Sequence, residues 1–254
     1  MTSFVCDEYR TGTYFSDLHR HSEDGEFKAN EFIQLLRANC PLEEIKTFAD
    51  VGCGAGATTS HMVEQMRKSG YLLTAARGYD VSPHVRNVIH PFIRFIHQDF
   101  TDSDDPVDLV TLLDVVEHVP DPIGFLKKVA DHARLIVLHL PLDGSLNLAL
   151  RNHFRRNLKD PGHLLVLDPA SALNLIAFAG LRVIDYRYTP SFIAPGSRQT
   201  LLEKLLYPIR RFLSALSPWL VAKTLGGISL MVLAQTPLYL ADNSRIKVVS
   251  KLSK

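Results

Sequence analysis

With 254 residues the chain has room for one α/β domain with a sizeable core, and a single domain over 1–254 is expected, with 1–46 as an N-terminal arm and helix and 189–227 as an inserted cap. Lys and Arg number 28 against 27 Asp and Glu, a net charge of +1, which excludes a global field of the kind that holds a protein on nucleic acid and favours a small-molecule partner. The three cysteines, Cys6, Cys40 and Cys53, are far apart and in no CxxC spacing, so neither a disulfide framework nor a zinc site is expected and a reducing cytoplasm fits.

Residues 1–24 are polar and rich in turn formers, without the basic start and apolar core of a signal peptide, and carry aromatics at Tyr9, Tyr14 and Phe15 that could anchor the arm or line a pocket mouth. His19 and His21, near Glu23 and Asp24, have the residue types of a metal cluster, but a His-x-His in a polar arm reads as a solvated segment. The helical spacing of Phe27, Phe32, Ile33, Leu35 and Leu36 predicts a helix over 26–39, ended before Pro41 and packed beside a sheet. An apolar run at 48–51 then meets three alternating glycines, Gly52, Gly54 and Gly56, followed by a helix over 58–68 with Gly70 at its end.

Further strands are predicted within 71–79 and at 93–96, 107–113 and 135–140, with a short helix after Pro83 and a longer one over 121–132. A helix over 169–179, a strand over 181–188 and an apolar run at 228–234 complete the pattern. Strands alternating with helices at this spacing predict an α/β fold with a doubly wound parallel sheet, whose ligands sit outside the carboxyl ends of the strands. Asp80, Asp99 and Asp114 each stand at such an end.

Asp50-Val51-Gly52-Cys53-Gly54-Ala55-Gly56 is the most informative stretch. Glycines at a strand-to-helix turn permit positive φ and let a nucleotide-type ligand lie directly against the main chain. Gly52-x-Gly54-x-x-Ala57 also meets the loose dinucleotide fingerprint, which keeps a nicotinamide-dependent oxidoreductase in view. Asp50 separates the two readings, because its carboxylate would repel a pyrophosphate and attract a ligand that carries an ammonium and a sulfonium.

The stretch resembles the first motif of class I S-adenosylmethionine-dependent methyltransferases, and the motifs that follow match as well, over about 47–179. The resemblance implies a Rossmann-like, mostly parallel sheet of seven strands with the last antiparallel and a helical cap before it, S-adenosylmethionine as cofactor, and methyl transfer to a small-molecule acceptor, with oxygen expected. A non-catalytic S-adenosylmethionine-binding protein is the remaining alternative.

By the same resemblance Asp50, Gly52, Cys53, Gly54 and Gly56 cradle the cofactor, and Asp80, followed by Val81, accepts both ribose hydroxyls; read without it, Asp80 is a helix N-cap before Pro83. Asp99 is assigned to the adenine amine with Phe100 beside the ring, against the plainer reading of a surface turn. The run from Leu113 through Asp114, Glu117 and His118 to Pro122 resembles the signature of quinone-biosynthesis O-methyltransferases, in which the matching positions Asp114, Glu117 and His118 are linked with a divalent metal. Asp stands where that group has Glu, and one loop supplies few ligands, so no metal is expected: Asp114 goes to the cofactor, while Glu117 and His118 brace the loop.

His118 and His163 are the catalytic candidates. His163 resembles the histidine of the Gly-His-Leu stretch in the same enzymes, and either removes a proton from an acceptor hydroxyl or holds the neighbouring loop. Within 189–227, Leu201, Leu205, Leu206, Ile209, Phe212, Leu213 and Leu216 recur at helical spacing while Glu203, Lys204, Arg210 and Arg211 stay off the stripe, which predicts an amphipathic helix kinked or broken at Pro208. Insertions at this place in the family commonly set substrate specificity, so a lid over the acceptor pocket is expected; contact of 201–219 with a membrane surface, through the basic residues and Trp219, is the less favoured reading. The apolar stretch 225–241 holds Gly226, Gly227, Gln235 and Pro237 and makes a poor membrane span.

Overall fold

A computed structural model describes residues 24–104, 106–159, 161–195, 197 and 200–241; Cys6, Tyr9, Tyr14, Phe15, His19, His21 and Glu23 lie outside the described residues. Strands β1 (Thr47–Val51), β2 (Ala75–Asp80), β3 (Arg94–His97), β4 (Val107–Leu113), β5 (Ala133–Pro141), β6 (Arg182–Thr189) and β7 (Ser229–Gln235) form one sheet in the order β3-β2-β1-β4-β5-β7-β6. The pairs among β1 to β5 are parallel, and β7 lies antiparallel to both of its neighbours, β5 and β6. Strand order reverses between β1 and β4, so the crevice that a doubly wound sheet offers a ligand opens at the carboxyl ends of those two strands.

In chain order the helices are α1 (Gly25–Asn39), α2 (Ala57–Lys68), α3 (Pro122–Ala130), α4 (Leu146–Leu150), α5 (His153–Lys159), α6 (Pro169–Phe178), α7 (Leu201–Leu216), α8 (Pro218–Thr224) and α9 (Pro237–Ala241). Successive side chains of a strand point to opposite faces, and here both faces are covered. On β5, Ile136, Leu138 and Leu140 enter a layer with Leu126 and Val129 of α3 and Ala172 and Ile176 of α6. Leu135 and Val137 enter the other layer, with Phe32 and Leu36 of α1 and Met62 and Met66 of α2. That two-sided burial is why the central strands are apolar throughout rather than alternating.

Local chemistry sets the helix starts. Asp121 accepts from Gly124 N ahead of Pro122 in α3, and Asp168 with Ser171 forms a capping box at α6. The segment after Pro83 forms a 3-10 turn, Pro83–Asn87, in place of the short helix expected there, and α4 and α5 are helices that the apolar spacing did not announce. Both are too short for a period to be read from sequence.

Helix α7 runs through Pro208 without a break; the chain turns at Ser217, whose side chain caps α8 by accepting from Leu220 N. Proline at this position removes the donor to the Lys204 carbonyl, and both residues are exposed, so water can satisfy that oxygen. Most of the apolar stripe expected to cover an acceptor pocket instead faces outward: Leu201, Leu205, Ile209, Phe212 and Leu216 are exposed, Leu206 and Leu213 are half-buried, and Arg210, expected off the stripe, is buried. No described helix is long and apolar enough to cross a membrane.

Phe32 has no exposed surface and its ring centroid lies 6.2 Å from that of Phe48 on β1. Phe32→Ala should therefore lower the free energy of unfolding by about 3 to 5 kcal/mol, measured by urea denaturation.

Candidate functional site

The loop that leaves β1 is fastened to the carboxyl end of β2. Gly52 N and Cys53 N both donate to Tyr79 O, at 2.8 and 3.1 Å, and Gly54 N donates to Asp80 Oδ2 at 2.7 Å. Gly52 and Gly56 take φ of +77° and +78°; a Cβ would come within 2.5 Å of Val115 at the first and 2.7 Å of Phe95 at the second. Both positions thus need glycine for conformation and for space.

Asp80 also accepts from Ser82 N at 2.7 Å, so each of its oxygens holds one main-chain N–H, and Val81 beside it is exposed. Burial raises its pKa against the opposing pull of those two donors. Burial likewise pushes the Cys53 thiol well above its ordinary range, with Asp50 and Asp80 adding to the effect. Asp99 caps a 3-10 turn, its Oδ1 accepting from the main-chain N and the hydroxyl of Thr101. Phe100 does not lie open beside a ligand: it is buried, edge-on to Tyr79 at 5.1 Å and to His132 at 5.9 Å.

Asp50 is assigned differently by its geometry than by its place in the motif. Its oxygens accept from the hydroxyls of Thr59 on α2, at 2.5 Å, and Thr111 on β4, at 2.6 Å. It therefore braces the turn rather than presenting a free carboxylate to the loop. Burial lifts its pKa to about 6, the two hydroxyl donors limiting the rise.

Asp114 ends β4 with φ +55°, which aims its side chain at two buried partners. Oδ2 lies 2.6 Å from Lys28 Nζ on α1, and Oδ1 lies 2.6 Å from His139 Nδ1 on β5. Burial works to raise its pKa, but the Lys28 and His139 charges and hydrogen bonds hold it well below the usual carboxylate range. Lys28 also meets Asp24 at 2.7 Å, and His139 Nε2 is bonded to Thr189 Oγ1 at 2.8 Å. With both oxygens committed, Asp114 does not join Glu117 and His118 in a ligand set.

His163 takes that place. Its Nδ1 donates to Asp143 Oδ2 at 2.6 Å, a carboxylate that also accepts from Asn157 Nδ2, so the ring presents Nε2 as its acceptor nitrogen, 3.9 Å from Glu117 Oε1. His118 Nδ1 donates to Gly162 O at 3.1 Å, and its ring stands edge-on to that of His163 at 5.0 Å. Glu117 N–C=O closes the two loops together, its carbonyl accepting from Leu164 N at 2.8 Å. The Glu117 carboxyl itself is buried with neither oxygen hydrogen-bonded among the described residues. Burial and the neighbouring Asp114 charge raise its pKa well above the ordinary value. An orphaned buried carboxyl of this kind costs about 1 to 3 kcal/mol unless something fills the site. Ligand atoms of Glu117, His118 and His163 lie within 4.8 Å of one another, a carboxylate and two imidazoles of the type that fits a divalent cation.

Three residues of this arrangement escape a sequence reading: Lys28, His139 and Asp143. Each leaves a trace. Lys28 sits on the apolar side of a helix, His139 interrupts the buried run of β5, and the rule that selects acids after strands selects Asp143 once it is carried past β5.

A parallel sheet closed by an antiparallel seventh strand, with a glycine loop and acids at the carboxyl ends, defines the class I methyltransferase fold. A family model described as a methyltransferase domain matches residues 20–186, and the chain belongs to that family. It is 31% identical over 123 residues to a ubiquinone biosynthesis O-methyltransferase of Vibrio campbellii (strain ATCC BAA-1116), covering 42% of this chain and 49% of the relative. To the protein of that name from Aliivibrio fischeri (strain MJ11) it is 29% identical over 118 residues, covering 42% and 50%. The chain thus spans about half the length of the curated relatives it matches.

Among solved structures it shares its fold with magnesium protoporphyrin IX methyltransferase of Synechocystis PCC 6803 with bound SAH, at TM-score 0.57 and 15% identity over 92% of this chain and 98% of that one. A putative methyltransferase of Haloferax volcanii, in complex with its Trm112 activator, superposes at TM-score 0.61 and 17% identity over 91% and 98%. By fold and family the chain belongs with the S-adenosylmethionine-dependent methyltransferases.

Asp80→Ala frees two main-chain donors and removes the acid at the end of β2. It should weaken SAH binding by about 1.5 to 3 kcal/mol in calorimetry and lower thermal stability at the same time.

A second expectation concerns pH. The folded protein holds the Asp50 proton more tightly than the unfolded chain, because its pKa rises from 3.8 to about 6. Its contribution to stability is complete below the unfolded value and is lost as pH rises through about 6. Between pH 4 and 7, unfolding free energies of the wild type should fall relative to Asp50→Asn by about 2 to 3 kcal/mol.

Proposed function

We propose that the chain transfers the methyl group of S-adenosylmethionine to an oxygen of a small-molecule acceptor, with His163 receiving the acceptor's proton. The observation that carries this reading is the Asp143–His163 pair set against the orphaned Glu117 carboxyl, on loops that follow β4 and β5. Val115, between Asp114 and that cluster, packs where a Cβ on Gly52 would intrude, so the glycine loop and the cluster border one another. The O-methyltransferase names of the Vibrio campbellii and Aliivibrio fischeri relatives support oxygen as the acceptor atom.

The chemistry is a displacement at the methyl carbon. The carbon–sulfur bond of the sulfonium breaks as the carbon–oxygen bond forms, and the hydroxyl proton passes to His163 Nε2. Asp143 fixes the ring so that Nε2 is the basic atom, and supports the positive charge that develops on it. The protein's remaining task is to hold the acceptor in line with the methyl carbon and to exclude water. Gly52, Gly54, Gly56 and Asp80 hold the cofactor in this reading, with Asp99 near the adenine, while Asp50 and Asp114 act behind them by bracing the loop and the strand end.

A second reading rests on the bare oxygens of Glu117. A divalent cation held by Glu117, His118 and His163 would draw the acceptor oxygen toward the methyl group and lower the pKa of its proton. The earlier objection, that one loop supplies too few ligands, does not apply to this set, since His163 arrives from a second loop.

His163→Ala should lower kcat by about 10² to 10⁴-fold while SAH affinity stays within about twofold, with higher pH restoring part of the rate by ionising the acceptor itself. On the base reading a chelator leaves wild-type activity unchanged. Loss of activity in EDTA, recovered with Mg²⁺ or Zn²⁺, would instead assign the three side chains as ligands. Unchanged kcat in His163→Ala would overturn both.

A further inference from the structure

We propose that the helical cap formed by α4, α5, α7 and α8 is a docking surface for an anionic lipid bilayer. The inference stands apart from the methyl-transfer reading and does not depend on it.

The outward face of α7 carries the first observation. Leu201, Leu205, Ile209, Phe212 and Leu216 recur at intervals of four, four, three and four residues, one side of a helix, and that side is exposed: Leu201 is 74%, Phe212 67% and Leu216 70% accessible. The opposite side is already anchored. Tyr207 and Leu213 pack on the core, and the buried Arg210 donates to Leu225 O at 2.7 Å. The apolar stripe is therefore surplus to what holds the helix in place. Trp219 and Leu220 of α8 and Leu146 and Leu150 of α4 extend the exposed apolar surface, Leu150 being 79% accessible. Asn147 Nδ2 donates to the same Leu225 carbonyl as Arg210, which fastens α4 and α7 to one point, while α8 packs on both and α5 on α4.

Charge selects the occupant. Residues 146–159 and 201–224 contain eight Lys and Arg and one acid, Glu203, in a chain whose net charge is only +1. Arg151, between α4 and α5, Arg155, Arg156 and Lys159 on α5, and Lys204 and Arg211 on α7 are all exposed on the same helical cap. Two copies of such a face would repel one another, and a rim of eight basic residues and one acid has little to offer a basic partner. A layer of anionic headgroups over an apolar interior complements both properties, with Leu, Phe and Trp at the acyl boundary and Arg and Lys on the phosphates. The surface lies beside the candidate site, because α5 leads straight into it: the Asn157 carbonyl accepts from the main-chain N of both Gly162 and His163.

Trp219 is the only tryptophan of the chain, so its fluorescence reports on the cap alone. With phosphatidylcholine vesicles containing about one third phosphatidylglycerol, its emission should shift to the blue and the protein should float with the vesicles. Pure phosphatidylcholine should bind at least about tenfold more weakly, and high salt should reduce binding to the mixed vesicles. Phe212→Glu with Leu216→Glu, and separately Arg155→Glu with Arg156→Glu, should each lower partitioning at least about tenfold. All four positions are exposed, and SAH affinity within about twofold of wild type would verify that each variant is folded and its cofactor site intact. Absence of a Trp219 shift and of flotation, or equal flotation of wild type and both variants, overturns the proposal. So does a lipid-free dimer that Phe212→Glu with Leu216→Glu dissolves.

Discussion

The ion pair between the buried Lys28 and the half-buried Asp114 governs the candidate site. It brings α1 onto the carboxyl end of β4, and His139 completes the triad from β5, so three separate elements are locked at one carboxylate. The pairing also bears on two pKa shifts of opposite sense. Asp114 is held well below the usual carboxylate range because its partners outweigh its burial, whereas burial, and then the Asp114 charge, raise the pKa of Glu117. Both Asp114 oxygens are thereby committed, and Glu117, His118 and His163 stand together without it.

Two other carboxylates show how position along a strand end separates roles. Asp50 lies within β1 and finds only hydroxyl donors, from Thr59 and Thr111, which leaves much of its desolvation unrelieved. Asp80 lies at the last residue of β2 and reaches the main-chain N–H groups of Gly54 and Ser82. The first is a brace between β1, α2 and β4; the second keeps the glycine loop in shape before any ligand arrives, which reduces the ordering required on binding.

The cap belongs to a different layer of design. The family match ends at residue 186, so α7 and α8 lie beyond it, as an insertion between β6 and β7. A near-neutral total charge conceals its basic character, because the rest of the chain is correspondingly acidic. Segregation of charge onto one surface carries information that a sum over the chain erases.

The sequence by itself determined the run of strands and longer helices and the loop at the centre of the sheet, while the seven-stranded topology was implied by the family resemblance. Local signals suffice for these: apolar runs covered on two faces, helical spacing along α1 and α7, and glycines at +77° and +78° that no side chain can replace. The tertiary structure alone decided which acids are available. Asp50 and Asp114 stand at motif positions, yet partners distant in sequence, Thr111 for one and Lys28 and His139 for the other, consume their oxygens. It also turned the α7 stripe outward and joined His163 to Glu117 across 46 residues. Periodicity states that a helix has an apolar side but not whether a neighbour covers it, and spacing within one loop cannot reveal a ligand delivered by another; both depend on long-range contacts that exist only once the chain has folded.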